Sequence, residues 1–217
     1  MKKYIKSAAI LIALNLPTQV LSENVINVLM FGDSLTQGYG LPYEDGLVPT
    51  LQEKVRNEAI SLINSGVSGD TTSGGASRIE WSLSSDIDAV VIALGGNDML
   101  RGIDPEITYN NLEIIINAIK SENLPFILVG LEAPLNYGGD YKKKFDDIFP
   151  ELAMKHKGIY AKSFFEPLIT DNAIPLNLMQ KDGIHPNKLG VEKIADYMYP
   201  KLLALKVNIL NNKKVDN

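Results

Sequence analysis

The chain has 217 residues, 45% of them hydrophobic and 22% charged, with no low-complexity block, a composition that builds one sizeable soluble core. A net charge of −5 and the lack of any Lys/Arg-rich stripe exclude a nucleic-acid partner, because counterion release needs clustered cations. The absence of cysteine excludes thiolate catalysis, disulfides, cysteine-zinc sites and a lipoprotein anchor.

Lys2, Lys3 and Lys6 precede the apolar run 8–16 and Pro17, and Val20 and Ser22 suit a small-residue cleavage site. Residues 1–22 therefore read as a cleavable secretory signal, which places the remaining domain, 23–217, in the periplasm or outside the cell. The apolar run is far shorter than the roughly 20 residues a spanning helix needs. Cleavage removes three lysines and no acid, so the charge falls from −5 to −8.

The run 25–30 predicts a buried first strand, and Phe31-Gly32-Asp33-Ser34-Leu35-Thr36-Gln37-Gly38 then reads as a tight turn into a helix. A serine at such a turn is lifted to the carboxyl edge of a sheet, where backbone N–H groups face developing negative charge. Leu47, Leu51 and Val55 lie four apart and predict a helix over 46–59; 60–63 is a second strand. The segment 64–75 has no periodicity and four glycines, which predicts a loop, followed by a helix over 76–83. A continuous apolar run over 88–94 ends at Gly95-Gly96 and predicts a central strand buried on both faces, with Asn97 just past it.

Asp104-Pro105 supplies an N-cap and a proline at the first helical position for a helix through Lys120. A strand over 126–131, a breaker-rich loop over 132–139, a helix over 141–155 and a short strand over 159–161 follow. Lys142-Lys143-Lys144 reads as the polar face of that helix. The pattern weakens over 163–182, which predicts loops with short helical turns. A last helix begins after Pro186; Pro200 should kink or divide it, and residues beyond about 208 should fray. Strands alternating with helices at short spacing imply βαβ units and a parallel sheet covered on both faces.

Sites in open α/β sheets lie beyond the carboxyl ends of the strands. Ser34, Gly69 and Asn97 follow the first three strands, and Asp182-Gly183-Ile184-His185 enters the last helix. The chain has only two histidines. His156, between Lys155 and Lys157 at a helix end, reads as an exposed cation favoured by the helix dipole. His185 has a carboxylate three residues earlier that can accept from one ring nitrogen and fix the tautomer. Alone, Gly69 reads as a left-handed turn and Asn97 as a cap. Four complementary pieces on one predicted sheet edge make a site. Asp33 and Asp98 lack a proton to move and read as structural.

Gly32-Asp33-Ser34-Leu35, Gly66-Val67-Ser68-Gly69-Asp70-Thr71, Gly95-Gly96-Asn97-Asp98 and Asp182-Gly183-Ile184-His185-Pro186 resemble, in order and spacing, the four blocks of the SGNH (GDSL) hydrolases. The likeness is nearest to the bacterial periplasmic arylesterase, acyl-CoA thioesterase I and lysophospholipase L1 group, and it extends to Asn97-Asp98-Met99-Leu100-Arg101-Gly102 and Asn136-Tyr137-Gly138. The resemblance implies a three-layer α/β/α sandwich on a mainly parallel, five-stranded sheet of flavodoxin-like type. It implies Ser34 as nucleophile, His185 as base and then acid, and Asp182 as its orienting group. The oxyanion hole would be the N–H groups of Ser34 and Gly69 with the Asn97 amide, glycine at 69 keeping a Cβ out of the way.

On that resemblance the chain is a serine esterase for fatty acyl esters and thioesters, aryl esters and lysophospholipids, with the loop 99–103, Met99 and Leu100 foremost, lining an acyl pocket. The chemistry needs no metal and no cofactor. A monomer with at most transient contact to a membrane surface is expected. A carbohydrate O-deacetylase is the alternative within the same chemistry, because fold does not decide among esters. A non-catalytic module holding an anion at the helix after Gly32 is the alternative from another class.

Overall fold

The computed structural model describes residues 25–215. The signal read over residues 1–22 lies outside them. Five strands, β1 (Ile26–Gly32), β2 (Ile60–Gly66), β3 (Ala89–Ala93), β4 (Phe126–Val129) and β5 (Ile159–Ala161), form one sheet in the order β2-β1-β3-β4-β5. Every neighbouring pair is parallel. The order reverses at β1, so the crevice beyond the ends of β1, β2 and β3 is where a doubly wound sheet offers a site.

Period two divides each central strand between two cores. Val28 and Met30 of β1 and Ala89, Val91 and Ala93 of β3 face one layer, while Leu29, Phe31, Val90 and Ile92 face the other. The first layer holds α2 (Leu47–Val55) and α7 (Lys188–Val215), packed through Leu51, Val55, Ile194, Met198 and Leu202. The second holds α3 (Thr72–Ser82), α5 (Pro105–Ser121) and α6 (Gly139–Lys155), packed through Ile79, Leu112, Ile115, Ile116, Phe145 and Phe149. Two short helices, α1 (Ser34–Gln37) and α4 (Gly96–Leu100), sit directly after β1 and β3. The three-layer architecture expected from the alternating pattern is the one observed.

Several boundaries differ for identifiable reasons. β2 runs to Gly66 because it stays in register with β1 as far as Gly32. α3 begins at Thr72 rather than 76, inside the glycine-rich stretch: Thr71 caps it by accepting from the Gly74 N–H, and buried Asp98 accepts the Thr72 N–H from across the fold. α2 stops at Val55, and Ala59 turns the chain at φ +50° into β2. The last helix is neither divided at Pro200 nor frayed beyond 208. Pro200 and Asp196, whose carbonyl loses its donor there, are both exposed to water, while Leu202, Leu205 and Ile209 on the other side stay buried. His156 is partly buried rather than exposed, its ring 3.4 Å from Glu113. Lys142 and Lys143 pair with Asp146 and Asp147 one turn on, as befits a polar helix face.

Candidate active site

β1 ends at Gly32, and Asp33 caps α1 by accepting the Leu35 N–H at 3.0 Å, which leaves Ser34 as the first residue of that helix. At the entry to α7, Asp182 Oδ1 accepts the N–H groups of Ile184 (2.9 Å) and His185 (3.0 Å), folding the loop so that its own side chain reaches back to the imidazole. Asp182 Oδ2 lies 2.6 Å from His185 Nδ1, and His185 Nε2 lies 2.9 Å from Ser34 Oγ, although 151 residues separate the last two in the chain.

The Asp182 carboxyl is held down at about 2, chiefly by the His185 backbone N–H, then by the His185 ring and the Ile184 N–H. It is therefore ionised over the working range and accepts from Nδ1–H, which leaves Nε2 free to accept from the Ser34 hydroxyl.

Asn97 lies in the first turn of α4, a helix not expected from the sequence. Its side-chain N–H2 donates to the Asp70 carbonyl at 2.9 Å, and Asp33 Oδ2 is 3.4 Å away, too far to hold the second hydrogen firmly. Gly69 has φ +79°, and a Cβ built on it would meet nothing nearer than Arg101 at 3.8 Å. The left-handed backbone, more than crowding, is what asks for glycine there. Arg101 donates to the Gly69 carbonyl at 2.8 Å.

Ser34, Gly69, Asn97, Met99, Leu100 and His185 all line one cavity of about 650 Å³, with Asp182 behind His185. Each residue named for the triad, the oxyanion hole or the acyl pocket is thus at or beside one cavity. Of the loop 99–103, only Met99 and Leu100 reach the cavity; the Ile103 N–H donates to the Asp98 carbonyl and its carbonyl accepts from the Tyr141 hydroxyl. Phe164, Phe165, Ile174 and Met179, which no motif or period marks in the sequence, form much of the remaining wall. They lie in the stretch without periodicity. The Tyr39 ring, 4.8 Å from that of His185, was equally silent.

Asp98 is fully buried and accepts from Thr72 N–H, the Thr72 hydroxyl and the Thr108 hydroxyl, so its structural reading holds. Asp33 is buried as well, and burial pushes its carboxyl up to about 6 against the lowering effects of the Leu35 N–H and His185. The folded chain therefore holds that proton more tightly than the unfolded one. Its cost is absent below the unfolded value near 3.8 and fully developed above about 6. Urea denaturation should show the wild type losing about 2 kcal/mol relative to Asp33→Asn between pH 4 and pH 7, the substituted amide keeping an oxygen for the Leu35 N–H. A stability difference that does not change with pH would show that Asp33 is not buried as described.

A family model for GDSL-like lipases and acylhydrolases matches residues 30–193. The chain belongs to this family. Curated relatives agree: an arylesterase of Vibrio mimicus is 34% identical over 180 residues, spanning 81% of this chain and 88% of that protein. The thioesterase 1/protease 1/lysophospholipase L1 of Escherichia coli K12 is 34% identical over 179 residues, spanning 82% and 84%. Among solved structures, the psychrotrophic esterase EstA of a Pseudoalteromonas species, inhibited by monoethylphosphonate, superimposes with a TM-score of 0.75 at 31% identity, covering 88% of this chain and 99% of that one. This GDSL-like hydrolase is a carboxylic ester hydrolase, with the expected α/β fold.

Proposed function

We propose that this hydrolase cleaves esters and thioesters of medium and long acyl chains, lysophospholipids and aryl esters among them, through an acyl-enzyme on Ser34. The observation that carries the reading is the Asp182–His185–Ser34 hydrogen-bonded triad, whose Ser34 and His185 line a largely apolar cavity. Ser34 Oγ attacks the carbonyl carbon as its proton passes to His185 Nε2. The N–H groups of Ser34 and Gly69 and the Asn97 side-chain amide, turning from its long 3.4 Å contact with Asp33, meet the oxyanion, each such donor contributing about 3 kcal/mol to lowering the barrier. Collapse expels the alcohol or thiol, which takes the proton from His185. Water, deprotonated by His185, then attacks the acyl-enzyme and releases the acid and Ser34.

The cavity supports the acyl specificity: it has the size of a pocket for a small ligand, and Met99, Leu100, Leu131, Phe164 and Ile184 offer an acyl chain carbon on most sides. The phosphonate inhibition of the Pseudoalteromonas relative supports a serine nucleophile. Residues 1–22 act as a cleaved leader, so the mature enzyme, a single domain from residue 23, meets envelope or extracellular lipid esters rather than cytosolic acyl-CoA. Among the described residues no helix is long and apolar enough to cross a membrane. The enzyme works as a monomer that touches membrane surfaces only in passing.

Hydrolysis of p-nitrophenyl acetate, butyrate, octanoate and palmitate tests the specificity. kcat/KM for the butyrate and octanoate should match or exceed that for the acetate. A steep fall beyond acetyl would mark the enzyme as a deacetylase.

A further inference from the structure

Gln180 donates three hydrogen bonds, all to backbone carbonyls around His185, and its own carbonyl accepts the Gly183 N–H at 3.0 Å. Its N–H donates to the His185 carbonyl at 2.7 Å; its side-chain amide donates to the Pro186 carbonyl at 3.0 Å and to the Tyr39 carbonyl at 2.8 Å. Tyr39 is in turn tied to the nucleophile, since its N–H donates to the Ser34 carbonyl at 3.0 Å, and its ring lies against the His185 ring at 4.8 Å. Apart from His185 itself, no other side chain links the turn carrying Ser34 to the loop carrying Asp182 and His185 among the hydrogen bonds of the described residues.

We propose that Gln180 is a positioning residue, a strut that sets the distance and angle between His185 Nε2 and Ser34 Oγ. The inference rests on the reading of Ser34 and His185 as nucleophile and base. Ser34 opens the short helix α1 and His185 sits in the loop before α7, two segments joined by the His185–Ser34 hydrogen bond and by that of Gln180 to Tyr39. A primary amide suits the task because its two hydrogens can serve two carbonyls at once, whereas a hydroxyl or carboxylate of similar reach cannot. The fit is close. The Gln180 amide oxygen lies over Gly40, where an added Cβ would come within 2.2 Å of it. A misplacement of about 1 Å in a catalytic group lowers turnover by about 100-fold, and supporting hydrogen bonds are what hold such a group to tolerance.

The test uses Gln180→Met, which keeps the length and loses both donors, and Gln180→Glu, which keeps the shape and offers the two carbonyls an acceptor. Gly40→Ala pushes a methyl against the amide oxygen while leaving Gln180 in place, with added strain at φ +76°, and stands in if either variant fails to fold. Active sites are counted by stoichiometric p-nitrophenol release from a p-nitrophenyl phosphonate, and kcat and KM are measured per titrated site with p-nitrophenyl butyrate. The strut predicts kcat per site down about 10- to 100-fold with KM within twofold. Wild-type kcat per site, with only a lowered melting temperature or active fraction, would overturn it and make Gln180 a loop-folding residue. His185→Ala beside them separates the two readings: full activity there sinks the relay itself, whereas an inactive His185→Ala with fully active Gln180 variants sinks only the strut.

Discussion

Ser34→Ala is expected to lower kcat for p-nitrophenyl butyrate by about four orders of magnitude or more, with KM little changed. The hydroxyl is the only group within reach of His185 Nε2 that can form a covalent bond to an acyl carbon, at 2.9 Å among the described residues. Removing it leaves the oxyanion donors and the apolar cavity in place, so substrate still binds but the only path is attack by water. His185→Ala should cost a similar amount, and the double variant no more than either single one, because the two act as one unit. A non-catalytic anion-binding module predicts the opposite pattern, with no turnover to lose. More than a few per cent of wild-type turnover in purified Ser34→Ala would contradict the nucleophile assignment.

Asp98→Ala is expected to destabilise the fold by about 3–5 kcal/mol, the largest stability loss of any single change outside the hydrophobic layers. The carboxylate has no exposure to solvent and receives the Thr72 N–H at 2.9 Å, the Thr72 hydroxyl and, at 3.4 Å, the Thr108 hydroxyl. Alanine leaves those donors buried without an acceptor, and no water reaches them in exchange. Asp98→Asn should cost clearly less, since one oxygen still accepts. The damage reaches the chemistry because α3 begins at Thr72, two residues after the Asp70 carbonyl that holds Asn97. Urea denaturation of both variants checks this; a loss under 1 kcal/mol for the alanine would show that Asp98 does not organise the start of α3.

Much of this was legible in the sequence. The runs 28–31 of β1 and 89–93 of β3 are apolar at every position because each residue, facing either layer, meets a helix. Period alone therefore revealed the doubly covered sheet. Ser34, Gly69, Asn97, Asp182 and His185 were legible because strand-to-helix loops of a parallel sheet fall on one edge, and because residue chemistry restricts what can share a proton.

The rest depended on partners far apart in the chain. Thr71 is the one local start signal for a helix at Thr72, and two glycines within the first turn weaken it; the anchor that offsets their cost is Asp98, 26 residues away. The cavity wall at Phe164, Phe165, Ile174 and Met179 has no helical or strand period, since these residues pack against what the sheet edge presents and not against their own element. Gln180 looked like an ordinary polar loop residue. Its partner Tyr39 is 141 positions away. The intact last helix shows a related limit: proline's missing N–H matters less where the freed carbonyl faces water.

The most direct test of the account is peptide mass spectrometry of the enzyme after reaction with a p-nitrophenyl phosphonate. Activity should vanish as a single phosphonyl group is gained, on the peptide containing Ser34, and Ser34→Ala should gain none. Inactivation with the adduct on any other residue, or full activity with Ser34 modified, would contradict the acyl-enzyme mechanism.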